Sequence, residues 1–205
     1  PVHTLETIGG GNSLGALGGF EVRLSEPPHF VELEAKWVPY QPNTPYLQAM
    51  FEQVRRFGVG FGSCHSEFVI TDRGPRLIEI NYRTVGDGRE FLLDRMMDQE
   101  LFRTILRTHL GHPLELTPPR QAAQVRYLSA PKSGLVRRSA PGRMEPCGDG
   151  LAEFQPLREL GDELRLTHSN KDYLGVLRLF ATDPLTVKHM LADWTASLEA
   201  QWEIS

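Results

Sequence analysis

The sequence predicts an α+β protein, with an antiparallel sheet and packed helices, followed by a β-rich portion that ends in a helix. Alternating apolar residues in GFEVRLS at 19–25 are typical of a half-buried strand. Apolar side chains recur at helical spacing within 45–57 and within 89–110. After these, short strand signals alternate with glycine and proline turns. The three patterns together favour an α+β architecture.

The first predicted element is a hairpin formed by VHTLETI at 2–8 and the strand at 19–25. GGGNSLGALGG at 9–19 joins the two strands and is predicted to be a long, mobile loop. Backbone N–H groups of a glycine loop can bind phosphate. This loop does not open a helix, however, and it lacks the lysine of a P-loop. A plain connection is therefore favoured, with phosphate binding as the alternative.

Two helices are predicted next, and both carry an apolar face suited to packing on a sheet. Residues 43–45 are typical of a helix start, and Gly58 of a helix end. The second helix is predicted as one segment from Arg89 to Leu110, since Gly111 and Pro113 follow it. Its methionines and aromatic residues are interpreted as core.

The proline pair Pro118 and Pro119 marks the predicted internal boundary, which gives domains of 1–117 and 118–205. The second domain ends in a helix whose N-cap and first residue are Asp183 and Pro184. Because the chain opens on proline and enters a strand almost at once, we expect it to be part of a longer protein.

Composition excludes several classes of function. The 205 residues carry a net charge of −4, and the pI is near 6.0, so we expect no nucleic-acid partner. No apolar run approaches the ~20 residues that span a bilayer, so we expect no membrane partner and a cytoplasmic location. Cys64 and Cys147 form no CxxC pair. Cys64 is interpreted as a small buried residue, with a nucleophile as the alternative.

The stretch CHSEFVITDRGPRLIEINYR at 64–83 contains the candidate site. Gly74 and Pro75 indicate a turn between two antiparallel strands. Strand alternation places Leu77, Glu79, Asn81 and Arg83 on one face of the second strand, and His65 with Glu67 on one face of the first.

Pairing of Ile70 with Arg76 would set Glu67 directly opposite Glu79. Opposed carboxylates destabilise a ladder unless a cation lies between them. Two carboxylates and an amide oxygen suit Mg²⁺, and a guanidinium such as that of Arg83 suits phosphate. On pattern alone, a solvated strand face remains an equal alternative.

HSEFVITDRGPRLIEINYR at 65–83 resembles the metal-binding hairpin of the ATP-grasp superfamily, in particular its carboxylate–amine ligase branch. AAQVRYLSAPKSGLV at 122–136 and NKDYLGVLRLFATDP at 170–184 also resemble that branch. The sequence pattern NYR-x-x-GD is similar to that of ATP-grasp ligases of siderophore biosynthesis. The resemblance implies the second lobe of an ATP-grasp ligase and its C-terminal portion.

By this resemblance, Glu67 and Glu79 would bind a first Mg²⁺ (or Mn²⁺), and Glu79 with Asn81 a second. Arg83 would be the catalytic residue that steadies the transferred phosphate of ATP. The substrates would be a carboxylate and an amine, joined through an acyl phosphate. An N-terminal lobe missing from this chain would supply most of the nucleotide pocket, so the chain alone is expected to be inactive.

Two features of this region have more than one interpretation. Asp87 and Arg89 lie where an unusual acceptor substrate could bind, although a tight loop and helix cap are the favoured interpretation. His65 shares the face of Glu67, and a structural histidine is favoured over a substrate contact.

A homodimer is left open. A non-catalytic nucleotide-binding or assembly domain is the alternative function.

Overall fold

A computed structural model describes residues 2–41 and 43–205. Pro1, on which the sequence opens, lies outside the described residues. By its contacts the chain forms two compact units. The first unit comprises the chain up to Val22 together with Trp37–Arg120, and the second comprises Arg23–Lys36 and Gln121–Ser205. The segment Arg23–Lys36, which a boundary at residue 117 would leave in the first domain, therefore belongs to the second unit.

The first eight elements are β1 (Val2–Gly10), β2 (Ser13–Leu24), β3 (Glu32–Pro39), α1 (Pro45–Phe57), β4 (Gly62–Thr71), β5 (Gly74–Asn81), α2 (Arg89–Met96) and α3 (Leu101–His109). In the first unit the strands lie in the order β5-β4-β1-β2. The pairs β1–β2, β1–β4 and β4–β5 are all antiparallel. Because β1 lies between β2 and β4, residues far apart in sequence share one face of the sheet.

The remaining elements are β6 (Ala122–Ser129), β7 (Gly134–Arg138), β8 (Arg143–Cys147), β9 (Gly150–Pro156), β10 (Glu163–Leu164), the 3₁₀ turn Asn170–Asp172, β11 (Tyr173–Ala181), α4 (Pro184–Glu199) and β12 (Glu203–Ile204). In the second unit the order is β3-β6-β11-β9-β8, and β10-β7-β12 form a smaller sheet. The predicted α+β class is confirmed.

Each unit has its own apolar core. In the first unit, α1 packs Leu47, Met50 and Val54 against a sheet face that includes Leu5 and Phe68. In the second unit, α4 packs on a face formed by β6, β9 and β11. As predicted, α4 begins at Pro184 after an Asp183 cap, whose carboxylate accepts hydrogen bonds from two backbone N–H groups. The short strand β12 follows this helix, so the chain does not end in the helix itself.

The prediction of a long, mobile glycine loop over 9–19 is wrong. The strands β1 and β2 meet at a turn of two residues, Gly11 and Asn12, and the other glycines lie within the strands. At Gly19 the reason is steric, because a Cβ there would overlap the carbonyl oxygen of Thr4 on the neighbouring strand. The glycines therefore permit close backbone approach in a sheet, which a composition-based loop assignment does not distinguish from mobility.

The single helix predicted over 89–110 is also wrong, since it is divided into α2 and α3. The backbone between them turns through positive φ at Asp98 (53°) and Gln99 (67°). The carboxylate of Asp94 accepts a hydrogen bond from the backbone N–H of Leu101 at 3.0 Å, which satisfies a free donor at the start of α3. No helix in the described part of the chain is long and apolar enough to cross a membrane.

Candidate functional site

The hairpin of β4 and β5 sets two carboxylates across from each other. Glu67 pairs directly with Glu79, and His65 pairs with Asn81. Residues directly opposite in an antiparallel pair have their Cβ atoms about 5 Å apart. The two glutamates and the asparagine therefore project from one face of the hairpin.

The register of this pairing is the predicted one at the site, but it differs nearer the turn. Ile70 pairs with Pro75, not with Arg76, and the register shifts between Glu67 and Phe68. Ile78 is the extra residue of this bulge, because Phe68 pairs with Leu77 while Glu67 pairs with Glu79.

The bulge also corrects the predicted faces. Leu77 pairs with the fully buried Phe68 and packs against the core of the first unit. It therefore does not share the face of Glu79, as regular alternation would require. Ile78 is 56 % exposed. The bulge thus accommodates Ile78 while Leu77 stays against the core and Glu79 lies opposite Glu67.

A buried polar network from β1 supports this face. Thr4 pairs with Glu67, and Glu6 pairs with His65. The hydroxyl of Thr4 donates to Glu6 Oε1 at 2.8 Å. His65 contacts Glu6 Oε1 through Nδ1 at 2.8 Å and Glu67 Oε1 through Nε2 at 3.2 Å. Both ring nitrogens are thus engaged, so His65 orients Glu67, in line with the structural alternative.

The protonation of this network follows from its contacts. Burial by itself lowers the pKa of His65, but the hydrogen bonds with Glu6 and Glu67 outweigh burial and raise that pKa to about 9. At neutral pH both ring nitrogens therefore donate. The hydrogen bond from His65 lowers the pKa of Glu67, and the charges of Arg89 and Arg83 lower it further. Glu67 is accordingly held as a carboxylate.

The two arginines occupy different environments. Arg83 is exposed, beyond the end of β5, and its Nη1 donates to the Thr84 carbonyl at 2.9 Å. Arg89 is only 4 % exposed, and its guanidinium carbon lies 5.4 Å from the centre of the Phe20 ring. Its Nη2 lies 3.4 Å from Asp87 Oδ2.

The predicted substrate contacts Asp87 and Arg89 are thus brought together at the start of α2. Gly88 is the N-cap there, in a left-handed conformation, and Arg89 is the first helical residue. The helix start is where the sequence places it. A substrate role for either residue remains a prediction.

The donor set fits a hard divalent cation. Glu67 and Glu79 supply carboxylate oxygens, and the side chain of Glu67 is 34 % exposed. The amide nitrogen of Asn81 is buried and has no hydrogen-bond partner within residues 2–41 and 43–205, so a bound ligand or water would complete its contacts. In the same ranges, no group of three or more His, Cys, Asp and Glu side chains is arranged to hold a metal ion. An ion here would draw the rest of its ligands from water and phosphate, as Mg²⁺ commonly does.

Cys64 takes no part in this face. It is fully buried in the core of the first unit. Burial raises the pKa of its thiol, which disfavours the thiolate that a nucleophile needs. The interpretation as a small buried residue is confirmed.

Sequence reasoning missed Thr4 and Glu6. Thr4 and Glu6 are two residues apart in VHTLETI and so share one face of their strand, as His65 and Glu67 do. This alternation is the signal in the sequence that could have indicated them. The pairing of β1 with β4 that makes this parity meaningful spans about 60 residues, from Glu6 to His65, and cannot be read from local pattern.

Comparison with known proteins shows the fold. No family model and no curated protein matches the sequence. The L-amino acid ligase from Bacillus licheniformis is similar in structure, with a TM-score of 0.72, 16% identity, and coverage of 100% of this chain and 51% of that chain. Phosphoribosylglycinamide synthetase from Anaerococcus prevotii has a TM-score of 0.72 at 12% identity, with 100% of this chain and 53% of that chain covered.

The biotin carboxylase domain of the Hydrogenobacter thermophilus 2-oxoglutarate carboxylase, in complex with MgADP and bicarbonate, is also similar. Its TM-score is 0.61 at 16% identity, and the match covers 100% of this chain and 46% of that chain. The chain has part of the ATP-grasp fold, as the sequence resemblance predicted. It spans about half the length of these solved structures.

Proposed function

We propose that this chain is the C-terminal part of an ATP-dependent carboxylate–amine ligase. The observation that carries the proposal is the single hairpin face on which Glu67 lies opposite Glu79, with Asn81 beside them. Glu67 and Glu79 would hold one Mg²⁺ or Mn²⁺, and Glu79 with Asn81 a second. The lobe with this hairpin, predicted as residues 1–117, would correspond to the first unit, and the β-rich portion, predicted as residues 118–205, to the second.

The reaction would form an amide bond in two steps. The γ-phosphate of ATP is transferred to a substrate carboxylate, which releases ADP and leaves an acyl phosphate. The amine then attacks the acyl carbon, expels phosphate and loses a proton. When bound, divalent ions would neutralise the phosphate charges, which together with positioning accounts for most catalysis of phosphoryl transfer.

The residues of the chain take distinct roles in this proposal. Arg83 is exposed beside the face and would stabilise charge on the transferred phosphate. His65 and Glu6 would hold Glu67 in position and keep it ionised. Asp87 and Arg89 would help to bind the acceptor substrate at the start of α2.

An N-terminal lobe of the same protein would supply the rest of the nucleotide pocket. The chain covers only about half of the similar solved structures, one of which is described with MgADP. The carboxylate–amine specificity, the siderophore branch, the cytoplasmic location and a homodimer remain predictions. A non-catalytic nucleotide-binding or assembly domain is the alternative, and a retained full set of polar site residues argues against it.

The test is ADP release by the full-length gene product, assayed with panels of carboxylates and amines and compared with the 205-residue chain. We expect Mg²⁺-dependent ADP formation that requires both substrates, and none from the chain alone. In the full-length protein, Arg83→Ala should lower kcat by about 10²-fold with little change in ATP affinity, because its charge acts most as the phosphate moves. Nucleotide binding without substrate-dependent ADP release would favour the non-catalytic alternative. Unaltered turnover of Arg83→Ala would remove this arginine from the mechanism.

A further inference from the structure

The second unit contains a cavity of about 580 Å³. This volume is within the range of pockets that bind small organic molecules. Residues from β6, from the start of β11 and from the chain around β12 contribute to the lining, and none of the candidate-site residues does. Its apolar lining includes Leu33, Tyr127, Leu128, Leu174, Trp202 and Ile204.

Two hydrogen-bond donors of the lining residues lack acceptors. The indole Nε1 of Trp202 and the guanidinium Nε of Arg126 are each buried, and neither has a hydrogen-bond partner in the described ranges. A buried donor without an acceptor costs free energy, and the apolar side chains that line the cavity offer no acceptor. An occupant with acceptor groups would supply the partners that these two atoms lack.

The charge around Arg126 favours an anionic acceptor. Its Nη1 donates to Glu34 Oε1 at 2.7 Å, and Arg23 Nη2 lies 2.5 Å from the same oxygen. One carboxylate is therefore shared by two guanidinium groups, which leaves an excess positive charge. Lys132 is also in the lining, but it is exposed to solvent and therefore adds little to that charge.

Two carboxylates in the lining oppose this charge only weakly. Glu199 and Glu203 are both exposed to solvent. Exposed charges are screened by water and salt, so they act weakly on a buried group. The partly buried arginine should therefore dominate the recognition of a ligand.

We propose that this cavity binds a small amphipathic carboxylate, whose apolar body fills the cavity and whose carboxylate satisfies the donors of Trp202 and Arg126. The site is additional to the proposed ligase function and does not depend on it. The ligand class follows from the lining: an apolar volume and two buried donors without acceptors, one of which belongs to a guanidinium group.

The probe is octanoate, with 1-octanol as its matched neutral control, and binding to the intact chain is measured by calorimetry and by tryptophan emission. We expect saturable octanoate binding with a change in emission, at least tenfold tighter than octanol. Octanol binding as tight as octanoate would overturn the carboxylate assignment. Absence of octanoate binding at millimolar concentration would overturn the proposal, because water alone would then fill the cavity.

Three variants locate the binding. Trp202→Phe keeps an aromatic ring but removes the N–H donor, and should weaken octanoate binding about tenfold. Ser129→Phe adds bulk at an exposed lining position, so it should block binding without disturbing the core. Ala192→Phe adds the same ring at an exposed position of α4 outside the lining, and should bind as the parent does. Equal binding by all three variants would place octanoate elsewhere and overturn the proposal.

Discussion

At the residue scale, the site depends on His65, whose two ring nitrogens each contact a carboxylate. The contact with Glu6 at 2.8 Å is buried, and the contact with Glu67 at 3.2 Å lies at the edge of the exposed face. A protonated imidazole between two carboxylates compensates charges that would otherwise be costly to bury. His65 therefore both stabilises the first unit and fixes the position of a proposed metal ligand.

This arrangement predicts a pH-dependent stability. The pKa of His65 rises from 6.5 to about 9 on folding, so the folded state holds its proton more tightly than the unfolded state. The stabilisation is complete below about pH 6.5 and is lost as pH rises through about 9. Urea unfolding in the absence of divalent ions should show the free energy of unfolding falling by a few kcal/mol across this window.

The matched variant is His65→Gln, which retains hydrogen-bonding capacity but does not titrate. Its free energy of unfolding should be lower than that of the parent at pH 6.5 and nearly independent of pH up to 9. A parent and a variant with the same slope would show that His65 is not the titrating group.

At the element scale, the bulge in β5 accommodates Ile78 without moving Glu79 from its position opposite Glu67. If Ile78 were deleted, the ladder from the pair Thr71–Gly74 to the pair Glu67–Glu79 would be regular. The reason is that Ile78 is the one unpaired residue between them. Without Ile80, by contrast, Asn81 would move to the opposite face, because side chains alternate along a strand.

A pair of deletions tests this geometry. Removing Ile78, which is 56 % exposed, should cost about 1 kcal/mol or less and keep the response of thermal unfolding to Mg²⁺. Removing Ile80, which packs against the core, should cost about 3 kcal/mol or more and weaken that response, because Asn81 would leave the face while Glu67 and Glu79 would stay opposite each other. Loss of the Mg²⁺ response in both variants would show that the bulge itself shapes the site.

The β1–β2 pair gives a second prediction at this scale. Gly19→Ala should destabilise the protein by about 2–4 kcal/mol in chemical unfolding, because its Cβ would overlap the Thr4 carbonyl oxygen within the sheet. Gly60→Ala is the control, since its Cβ would lie 3.9 Å from its nearest neighbour. A small effect at Gly19 would favour the mobile loop that the sequence predicted.

The same elements show what the sequence could and could not predict. Alternation and turn residues located the hairpin and put Glu67 opposite Glu79, because both signals are local. The bulge at Ile78 was missed, since nothing in the local pattern distinguishes an extra residue from regular alternation. Glu6 was missed because its contact with His65 depends on the pairing of β1 with β4.

At the scale of the whole molecule, the two units carry different features. All the residues of the candidate site lie in the first unit, and the cavity of about 580 Å³ lies in the second. The ATP-grasp fold is shown by structures at most 16% identical to this chain, so the fold does not identify a substrate. The chemical claim therefore depends on whether the hairpin face binds divalent ions.

The most direct test of that claim is a Mg²⁺ titration of the thermal unfolding of this chain, with Glu79→Gln and Glu115→Gln as variants. Glu115 is an exposed carboxylate of the first unit outside the candidate site. Binding to the folded state alone raises the midpoint, and about 1 kcal/mol of such stabilisation corresponds to roughly 2–4 °C for a chain of this size. We predict a rise of a few degrees for the parent and for Glu115→Gln, and almost none for Glu79→Gln. A response of Glu79→Gln equal to that of the other two proteins would contradict the metal site on this hairpin.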